Sequence, residues 1–257
     1  MSEKVIILTG ASRGIGLAIA NYLLSKNSKL VITARSKDAL EQLRSSHPEQ
    51  VEVITGDMSD PASYNHLATQ AVEAATKRWG RVDALVVNHG VLDPVKKVAD
   101  AEAQEWRTGF EVNVFSAVAL IRAALPSLRT SRGRIILTSS GAATHAYTAW
   151  GCYGATKAAL NHLAMTLAVE EPEVTTVSIR PGVVATEMQK EIREKHDMAM
   201  GEETSRKFKE LKEEGKLLKP EQPGNVIARL ALDAEKGLSG RFLSWDDGEA
   251  LGGYQEG

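Results

Sequence analysis

Two segments of the chain place a tyrosine four residues before a lysine. One is "NYLLSK", with Tyr22 and Lys26, and the other is "CYGATK", with Tyr153 and Lys157. Both segments fall in predicted helices, where residues four apart share a face and the ammonium can lie near the phenol. An ammonium favours the phenolate and so lowers a phenol pKa that is ordinarily about 10. Such a tyrosine can exchange a proton with a carbonyl oxygen, so each pair is a candidate for acid–base chemistry.

The elements that would position these pairs alternate along the chain. β-branched runs predict buried strands at 4–9, 29–34, 51–55, 82–87, 133–139, 174–180 and 240–245. Amphipathic segments between them predict helices at 15–26, 36–46, 60–78, 102–125, 153–170 and about 221–234. This alternation predicts an α/β fold: a Rossmann-type, doubly wound parallel sheet of about seven strands flanked by helices, in a three-layer sandwich.

The length of 257 residues suits a single domain, predicted to span 1–257. One segment, 187–219, interrupts the alternation of strands and helices and is rich in charged residues. We interpret it as a helical insertion that covers the substrate. A pair of solvated surface helices is compatible with this interpretation, because the outer face of a lid is wet.

Composition and charge argue against several classes of partner. A net charge of −2 and a pI near 6.3 predict no nucleic-acid or anionic-membrane partner. No apolar run approaches the roughly 18 residues of a membrane span, and the six histidines show no metal-ligand spacing. Cys152 is the only cysteine, so no intrachain disulfide can form. We therefore predict a soluble, cytoplasmic protein without a metal site.

The predicted fold separates the two tyrosines. Parallel sheets bind ligands at the carboxyl ends of their strands. Tyr22 and Lys26 lie in the middle and at the end of the first helix, away from that edge, and are interpreted as a packed aromatic and a solvated amine. Tyr153 and Lys157 begin the helix that follows the fifth strand, on the ligand side. Tyr153 is therefore the predicted acid.

The fifth strand ends in "LTSS", which brings Ser139 and Ser140 to the same edge as Tyr153. A serine hydroxyl there can hold a carbonyl oxygen and stabilise the negative charge that develops on it. Lys157 would lower the pKa of Tyr153 and could also bind the ribose of a nicotinamide cofactor. The three side chains together suit hydride transfer to a ketone with protonation of its oxygen.

A glycine turn, "TGASRGIG", follows the first strand and opens the first helix. Gly10 suits the tight turn, Gly14 lets the backbone approach a phosphate, and Gly16 lets the helix pack close to the sheet. Plain structural turns also use glycine, but the order of strand, turn and helix favours a dinucleotide site.

The end of the second strand, "VITARS", distinguishes the two nicotinamide cofactors. An NAD site usually has an acidic residue there, but this chain has Ala34 followed by Arg35, and Arg13 lies in the glycine turn. Two guanidiniums without a carboxylate favour a 2′-phosphate, and therefore NADP(H). The alternative is that Arg35 is only a solvated charge at a strand end.

Two further strand ends supply candidate contacts to the cofactor. In "TGDMSD", Asp57 can accept a hydrogen bond from the adenine amino group while Met58 flanks the ring. Asp57 could instead cap the next helix, although Asp60 already suits that role. In "VVNHG", Asn88 and Gly90 would let the backbone run beside the cofactor.

The sequence resembles the single-domain short-chain dehydrogenase/reductases over essentially its whole length. "TGASRGIG", "FEVNVFS", "YGATK" and "RPGVVATEM" match the family's motifs in order, and Ser140 precedes Tyr153 by the usual thirteen residues. The resemblance implies a catalytic set of Asn113, Ser140, Tyr153 and Lys157, with Asn113 supporting a proton relay to the lysine. It implies cofactor contacts by Gly10, Ser12, Arg13, Gly14, Ile15, Gly16, Ala34, Arg35, Asp57, Met58, Asn88, Gly90, Tyr153, Lys157, Pro181, Gly182, Val184 and Thr186.

One motif departs from the family. Where the family often has N-N-A-G or N-A-G, this chain has "NHG", so His89 replaces a small residue. We expect His89 to narrow the space beside the adenosine ribose.

Two longer segments, "AWGCYGATKAALNHLAMTLAVEE" and "PGVVATEMQKEIRE", resemble the fungal benzil reductases, relatives of sepiapterin reductase. This resemblance implies NADPH-dependent reduction of an aromatic 1,2-diketone such as benzil to the α-hydroxyketone. The alternatives are a 3-oxoacyl-thioester reductase and a catalytically silent NADP-binding regulator.

The residues predicted to contact the ketone are Ser140, Tyr147, Trp150, Tyr153 and Met188. Tyr147 and Trp150 form an aromatic wall or pack under the insertion, two interpretations of equal weight. Met188, Met198 and Met200 suit an adaptable lid over an apolar substrate.

The predicted helices at 102–125 and 153–170 carry more apolar residues than one sheet-facing stripe requires. The surplus predicts a homodimer or homotetramer formed through these two helices, as the family resemblance also implies.

Overall fold

A computed structural model describes residues 3–255. Its seven strands form one all-parallel sheet in the order β3-β2-β1-β4-β5-β6-β7. The strands are β1 Val5–Thr9, β2 Lys29–Ala34, β3 Val51–Thr55, β4 Ala84–Val87, β5 Arg134–Thr138, β6 Thr175–Arg180 and β7 Phe242–Ser244. This confirms the predicted fold class.

Most strand residues are buried because helices cover both faces of the sheet. Along β1, Val5 and Ile7 pack on one face while Ile6 and Leu8 pack on the other, and all four are buried. The helices are α1 Gly14–Ser25, α2 Lys37–Ser46, α3 Pro61–Trp79, α4 Ala103–Phe110, α5 Ser116–Ser131, α6 Gly151–Glu170, α7 Glu187–Glu194, α8 Asp197–Met200, α9 Glu202–Glu213, α10 Glu221–Asp233 and α11 Gly248–Gln255. Buried side chains of α3, α5 and α6 form one core, and those of α1, α10 and α11 form the other.

The predicted helix at 102–125 differs from the observed structure in two ways. It is divided by a π-helical turn, Glu111–Phe115, between α4 and α5. It also continues through Pro126 to Ser131, because buried Ala124 and Leu128 on either side of the proline hold the chain in the core. That packing outweighs the hydrogen bond that proline cannot donate.

The stretch Ala103–Ser131 also corrects the expectation about membrane spans. Among the described residues it is one helical stretch long and apolar enough, by length and composition, to cross a membrane. However, 56% of its most apolar window is buried inside the protein, as in the core helix of a globular domain.

Candidate active site

A continuous cavity of about 1500 Å³ opens along the carboxyl ends of the strands. It is lined by every predicted cofactor residue and every predicted substrate residue: Gly10, Ser12, Arg13, Gly14, Ile15, Gly16, Ala34, Arg35, Asp57, Met58, Asn88, Gly90, Ser140, Tyr147, Trp150, Tyr153, Lys157, Pro181, Gly182, Val184, Thr186 and Met188. The parallel topology brings these distant segments together, because every β-to-α connection leaves the sheet at this edge.

The glycine turn joins β1 to α1 at one end of the cavity. Gly10 and Gly14 have φ values of 67° and 55°, in the left-handed region that favours glycine. A Cβ on Gly16 would lie 2.0 Å from the carbonyl oxygen of Gly10. The α1 N-cap, Arg13, makes no side-chain capping bond to the described residues. The first amides of the helix are therefore available to an anion.

The end of β2 presents Arg35 and Ser36 to the cavity. Ser36 is the N-cap of α2, and its hydroxyl makes no capping bond to the described helix. Across from them, Asp57 accepts hydrogen bonds from the backbone and hydroxyl of Ser59. These bonds, helped by the charge of Arg35, lower the pKa of Asp57. The α3 N-cap is Asp60, which accepts bonds from two backbone amides, so Asp57 does not serve as the cap.

Tyr153, Ser140 and Lys157 meet on one wall of the cavity. Tyr153 and Lys157 are both buried, and the Lys157 Nζ lies 5.7 Å from the centroid of the Tyr153 ring. Lys157 donates a 2.8 Å hydrogen bond to the carbonyl oxygen of Thr138, at the end of β5. Burial lowers the pKa of Lys157 to about 8.

The acidity of Tyr153 differs from the prediction. Burial raises the pKa of Tyr153, and a hydrogen bond with Ser140 only partly opposes that change. The expected net lowering of this pKa is therefore wrong for this structure. Removing a phenolate from water costs more than the local partners return, so Tyr153 stays protonated.

The other pair, Tyr22 and Lys26, shows that local geometry does not decide between the tyrosines. The Lys26 Nζ lies 5.3 Å from the Tyr22 ring centroid, close to the corresponding distance in the Tyr153 pair. However, Tyr22 packs against the core formed by α1 and α10, and its hydroxyl accepts a 2.6 Å hydrogen bond from Arg229. Lys26 is exposed.

Asn113 lies behind the cavity wall rather than on it. It is buried in the π-helical turn, where its side-chain amide exchanges hydrogen bonds of 2.8 and 2.9 Å with the backbone of Val91. It also donates a 3.0 Å bond to Thr156 on α6. A Cβ on Gly90 would lie 3.2 Å from the Asn113 Oδ1 and 3.4 Å from the Lys157 Nζ. Asn113 and Lys157 therefore flank the same glycine.

The insertion meets the wall formed by Tyr153, Ser140 and Lys157 through aromatic rings. Trp150 stacks on Phe208 of α9 at 5.5 Å, and its Nε1–H points to the sulfur of Met200. The edge of Trp150 also contacts Tyr153, with 5.8 Å between ring centroids. Trp150 thus packs under the insertion and lines the cavity, so both interpretations apply to it.

The three methionines do not share one role. Met188 lines the cavity, whereas Met200 is buried against Trp150 and Met198 is 93% exposed. Of the three methionines expected to suit a lid over the substrate, Met188 is therefore the one that lines the cavity, and Met198 points to solvent.

A protein-family model described as short chain dehydrogenase matches residues 4–197. The chain belongs to this family. Two similar curated members are an uncharacterized oxidoreductase of Schizosaccharomyces pombe, 41% identical over 95% of this chain and 97% of the relative, and a benzil reductase ((S)-benzoin forming) of Saccharomyces cerevisiae, 37% identical over 98% and 99%.

Solved structures of similar proteins support the same family assignment. The short-chain dehydrogenase/reductase YIR035C of Saccharomyces cerevisiae has a TM-score of 0.94 and 38% identity, covering 98% of this chain and 100% of that one. A cytoplasmic protein of unknown function from the same yeast has a TM-score of 0.83 and 38% identity, with the same coverage. An alcohol dehydrogenase from Thermococcus sibiricus, complexed with 5-hydroxy-NADP, has a TM-score of 0.75 and 28% identity over 95% of this chain and 96% of that one.

Several lining residues of this short-chain dehydrogenase were not predicted. The apolar part of the cavity includes Leu92, Val95, Ile192, Phe208 and Leu211. Phe208 and Leu211 are three residues apart in an otherwise charged segment, a spacing that marks one buried helical face. That pattern was available in the sequence. Leu92 and Val95 lie in an irregular loop and carry no comparable signal.

Proposed function

We propose that this oxidoreductase is an NADPH-dependent carbonyl reductase that converts an aromatic 1,2-diketone, such as benzil, to the α-hydroxyketone. The observation that carries the proposal is the wall formed by Tyr153, Ser140 and Lys157, set between the glycine turn and an apolar compartment. The name of the yeast benzil reductase relative supports the substrate class. The raised pKa of Tyr153 supports the direction, because a protonated phenol is ready to donate to a ketone oxygen.

The residues present fit a dinucleotide with a 2′-phosphate. The space at Gly16, which a Cβ would fill, lets α1 approach the turn, and the first amides of α1 suit the pyrophosphate. Arg13, Arg35 and the hydroxyl of Ser36 line the cavity where the 2′-phosphate would bind. The Thermococcus sibiricus relative was solved with an NADP analogue, which supports the same choice.

In the proposed mechanism, the bound nicotinamide supplies a hydride to the carbonyl carbon. Ser140 donates a hydrogen bond to the carbonyl oxygen and stabilises its developing negative charge. Tyr153 transfers its phenolic proton to that oxygen, which completes the alcohol. The Lys157 ammonium stabilises the resulting phenolate, and Asn113 supports the return of a proton from solvent to Tyr153. The net reaction consumes one ketone, one NADPH and one proton.

The remaining expectations belong to the same proposal. The chain acts as one domain over 1–257, whose ends lie outside the described residues, with 187–219 as a lid over the ketone. A cytoplasmic location accords with the description of the yeast structural relative. Exposed apolar side chains on α6 (Met165, Val169) and at the start of α5 (Val118, with Phe115 just before it) support a homodimer or homotetramer. Light scattering at micromolar concentration tests that assembly.

The test is NADPH oxidation, followed by absorbance, with benzil, other aromatic diketones, sepiapterin and an acetoacetyl thioester, repeated with NADH. We expect diketone turnover with NADPH. Tyr153→Phe should lower kcat by about 10²- to 10⁴-fold and leave NADPH affinity nearly unchanged, whereas the matched variant Tyr22→Phe should retain turnover. Preference for the thioester would indicate a 3-oxoacyl reductase, and NADPH binding without any turnover would favour the regulator. Full activity in Tyr153→Phe would refute the assignment of the acid.

A further inference from the structure

His89 is a partly buried titratable group that lines the cavity beside the proposed catalytic machinery, and the mechanism does not use it. It follows β4 in "NHG", where the family often has a small residue. Its ring spans two elements: the Nδ1 lies 2.7 Å from the hydroxyl oxygen of Thr9, the last residue of β1. The Nε2 lies 3.0 Å from the carbonyl oxygen of Val112 and 2.8 Å from the hydroxyl oxygen of Ser116. The ring therefore bridges the sheet and the π-helical turn.

Both ring nitrogens bond to protein groups. The Thr9 oxygen accepts a 3.0 Å hydrogen bond from the Asn88 amide, and the Thr9 hydroxyl also has the Val86 carbonyl as an acceptor at 3.3 Å. The Ser116 hydroxyl can donate to the Nε2 or accept from it. In either neutral tautomer the ring therefore bonds to both Thr9 and Ser116. Burial, together with the nearby Lys157 ammonium, lowers the pKa of His89 to about 4, so the ring stays neutral at physiological pH.

The π-helical turn that His89 contacts carries Asn113. The backbone of this turn is wider than that of an α-helix, because the Ser116 amide bonds to the carbonyl of Glu111, five residues back. The Val112 carbonyl accepts a 2.6 Å hydrogen bond from the Ser116 hydroxyl, and the His89 Nε2 lies 3.0 Å from the same oxygen. π-helical turns are rare and occur often at functional sites.

We propose that His89 is a positioning residue, whose imidazole ties the end of β1 to the π-helical turn and thereby holds Asn113 beside Lys157 for the return of a proton to Tyr153. A small residue at this position would leave the Val112 carbonyl and the Thr9 hydroxyl without this bridge. The inference rests on the proposed function, because it assigns His89 to the proton supply of that reaction.

The first test compares His89→Ala with wild type in purified, folded enzyme. We expect kcat for the ketone to fall by about 10- to 100-fold, because small displacements of positioned groups reduce rates on this scale. The dissociation constant of NADPH and the KM of the ketone should change by less than about threefold, since both ring nitrogens of His89 bond to protein groups and leave neither to bind a ligand. The matched control is His66→Ala, an exposed histidine on α3, which should leave all three constants unchanged.

Chemical rescue separates positioning from a general loss of structure. Added imidazole should restore part of the kcat of His89→Ala by occupying the vacated space, and should not raise the rate of wild type or of Tyr153→Phe. If His89→Ala does not fold, Ser116→Ala removes one partner of the Nε2 and retains the ring. It should then lower kcat several-fold with NADPH affinity unchanged.

Two outcomes would overturn the inference. One is an unchanged kcat in His89→Ala, or in Ser116→Ala where that variant replaces it. The other is a loss of NADPH affinity that matches the loss of kcat without rescue, which would make His89 part of the cofactor cleft. Failure of the proposed function is distinguished because it appears in wild type, as absence of turnover with every ketone.

Discussion

The glycine turn and the insertion both line one cavity, and different physical constraints hold them in place. At the turn, the constraint is the backbone: a single added methyl on Gly16 would lie 2.0 Å from a carbonyl oxygen. In the insertion, the constraint is side-chain packing: Phe208 and Met200 are buried against Trp150, while charged residues cover the rest. Backbone constraints select one residue type, whereas packing accepts several of similar volume.

The charged side chains of the insertion differ in a similar way from the Lys157 ammonium on the wall formed by Tyr153, Ser140 and Lys157. The insertion carries exposed pairs such as Lys209 with Asp197, which contribute little to stability in water. On that wall, the Lys157 ammonium is instead buried and donates a hydrogen bond to a backbone carbonyl. Substitutions in the turn and the wall should therefore have large effects, and those in the insertion small ones.

The largest effect is expected for Gly16→Ala. The Cβ would overlap the Gly10 carbonyl, so α1 must move away from the turn and the proposed phosphate site must open. We expect NADPH affinity to fall by at least about 100-fold, measured by fluorescence titration, because the first amides of α1 lose their position.

Gly252→Ala in α11 is the matched control for this change. No described atom lies within 4 Å of a Cβ built on Gly252 outside its own helix, so this variant should bind NADPH normally. It should also gain about 0.5–1 kcal/mol of stability from the better helix propensity of alanine. Normal NADPH binding by Gly16→Ala would contradict the contrast between the two regions.

An intermediate effect is expected from the buried charge of Lys157. Below about pH 8 both the folded and the unfolded chain hold this proton, and the fold bears the cost of burying the ammonium. Between about pH 8 and the ordinary lysine pKa of 10.5, the folded protein has released the proton while the unfolded chain still holds it. Stability therefore rises with pH in this window. The variant Lys157→Met has no titrating group at this position, so its stability lacks this dependence on pH.

Urea denaturation of both proteins at pH 7.5 and at about pH 10 measures the effect. The free energy of unfolding of wild type relative to Lys157→Met should increase by up to about 3 kcal/mol between these pH values, by linkage. The other titrating groups are common to both proteins and cancel in the difference. Equal changes in the free energy of unfolding for wild type and Lys157→Met would mean that Lys157 keeps an ordinary pKa in the fold.

The fold and the place of Tyr153 in it could be predicted because they depend on patterns that are visible in the amino-acid sequence itself. Buried strands appear in the sequence as β-branched runs. The predicted topology then placed Tyr153, rather than Tyr22, at the carboxyl edge of the sheet, where ligands bind. The two tyrosine–lysine pairs have nearly equal distances in the structure. Only their places in the sheet distinguish them, and those follow from the order of strands and helices.

The features that could not be predicted depend on contacts between distant segments. Helix α11 contains three glycines, which disfavour a helix, and is anchored by fully buried Leu251. The bridge made by His89 joins β1 to a π-helical turn that no local pattern marks. The pKa of Tyr153 was predicted in the wrong direction because burial, which the sequence does not show, raises it more than the hydrogen bond with Ser140 lowers it.

The smallest of the three effects is expected for Phe208→Leu. Phe208 is 3% exposed and stacks on Trp150, whose edge contacts Tyr153. Leucine keeps the apolar contact but loses the ring stacking, worth about 0.5–1.5 kcal/mol, so KM for the ketone should rise about 2- to 10-fold. NADPH affinity should not change. Met198→Ala, at a 93% exposed position in the same insertion, should leave KM unaltered. Equal effects of the two variants, or a change in NADPH affinity, would show that the insertion does not act through this stack.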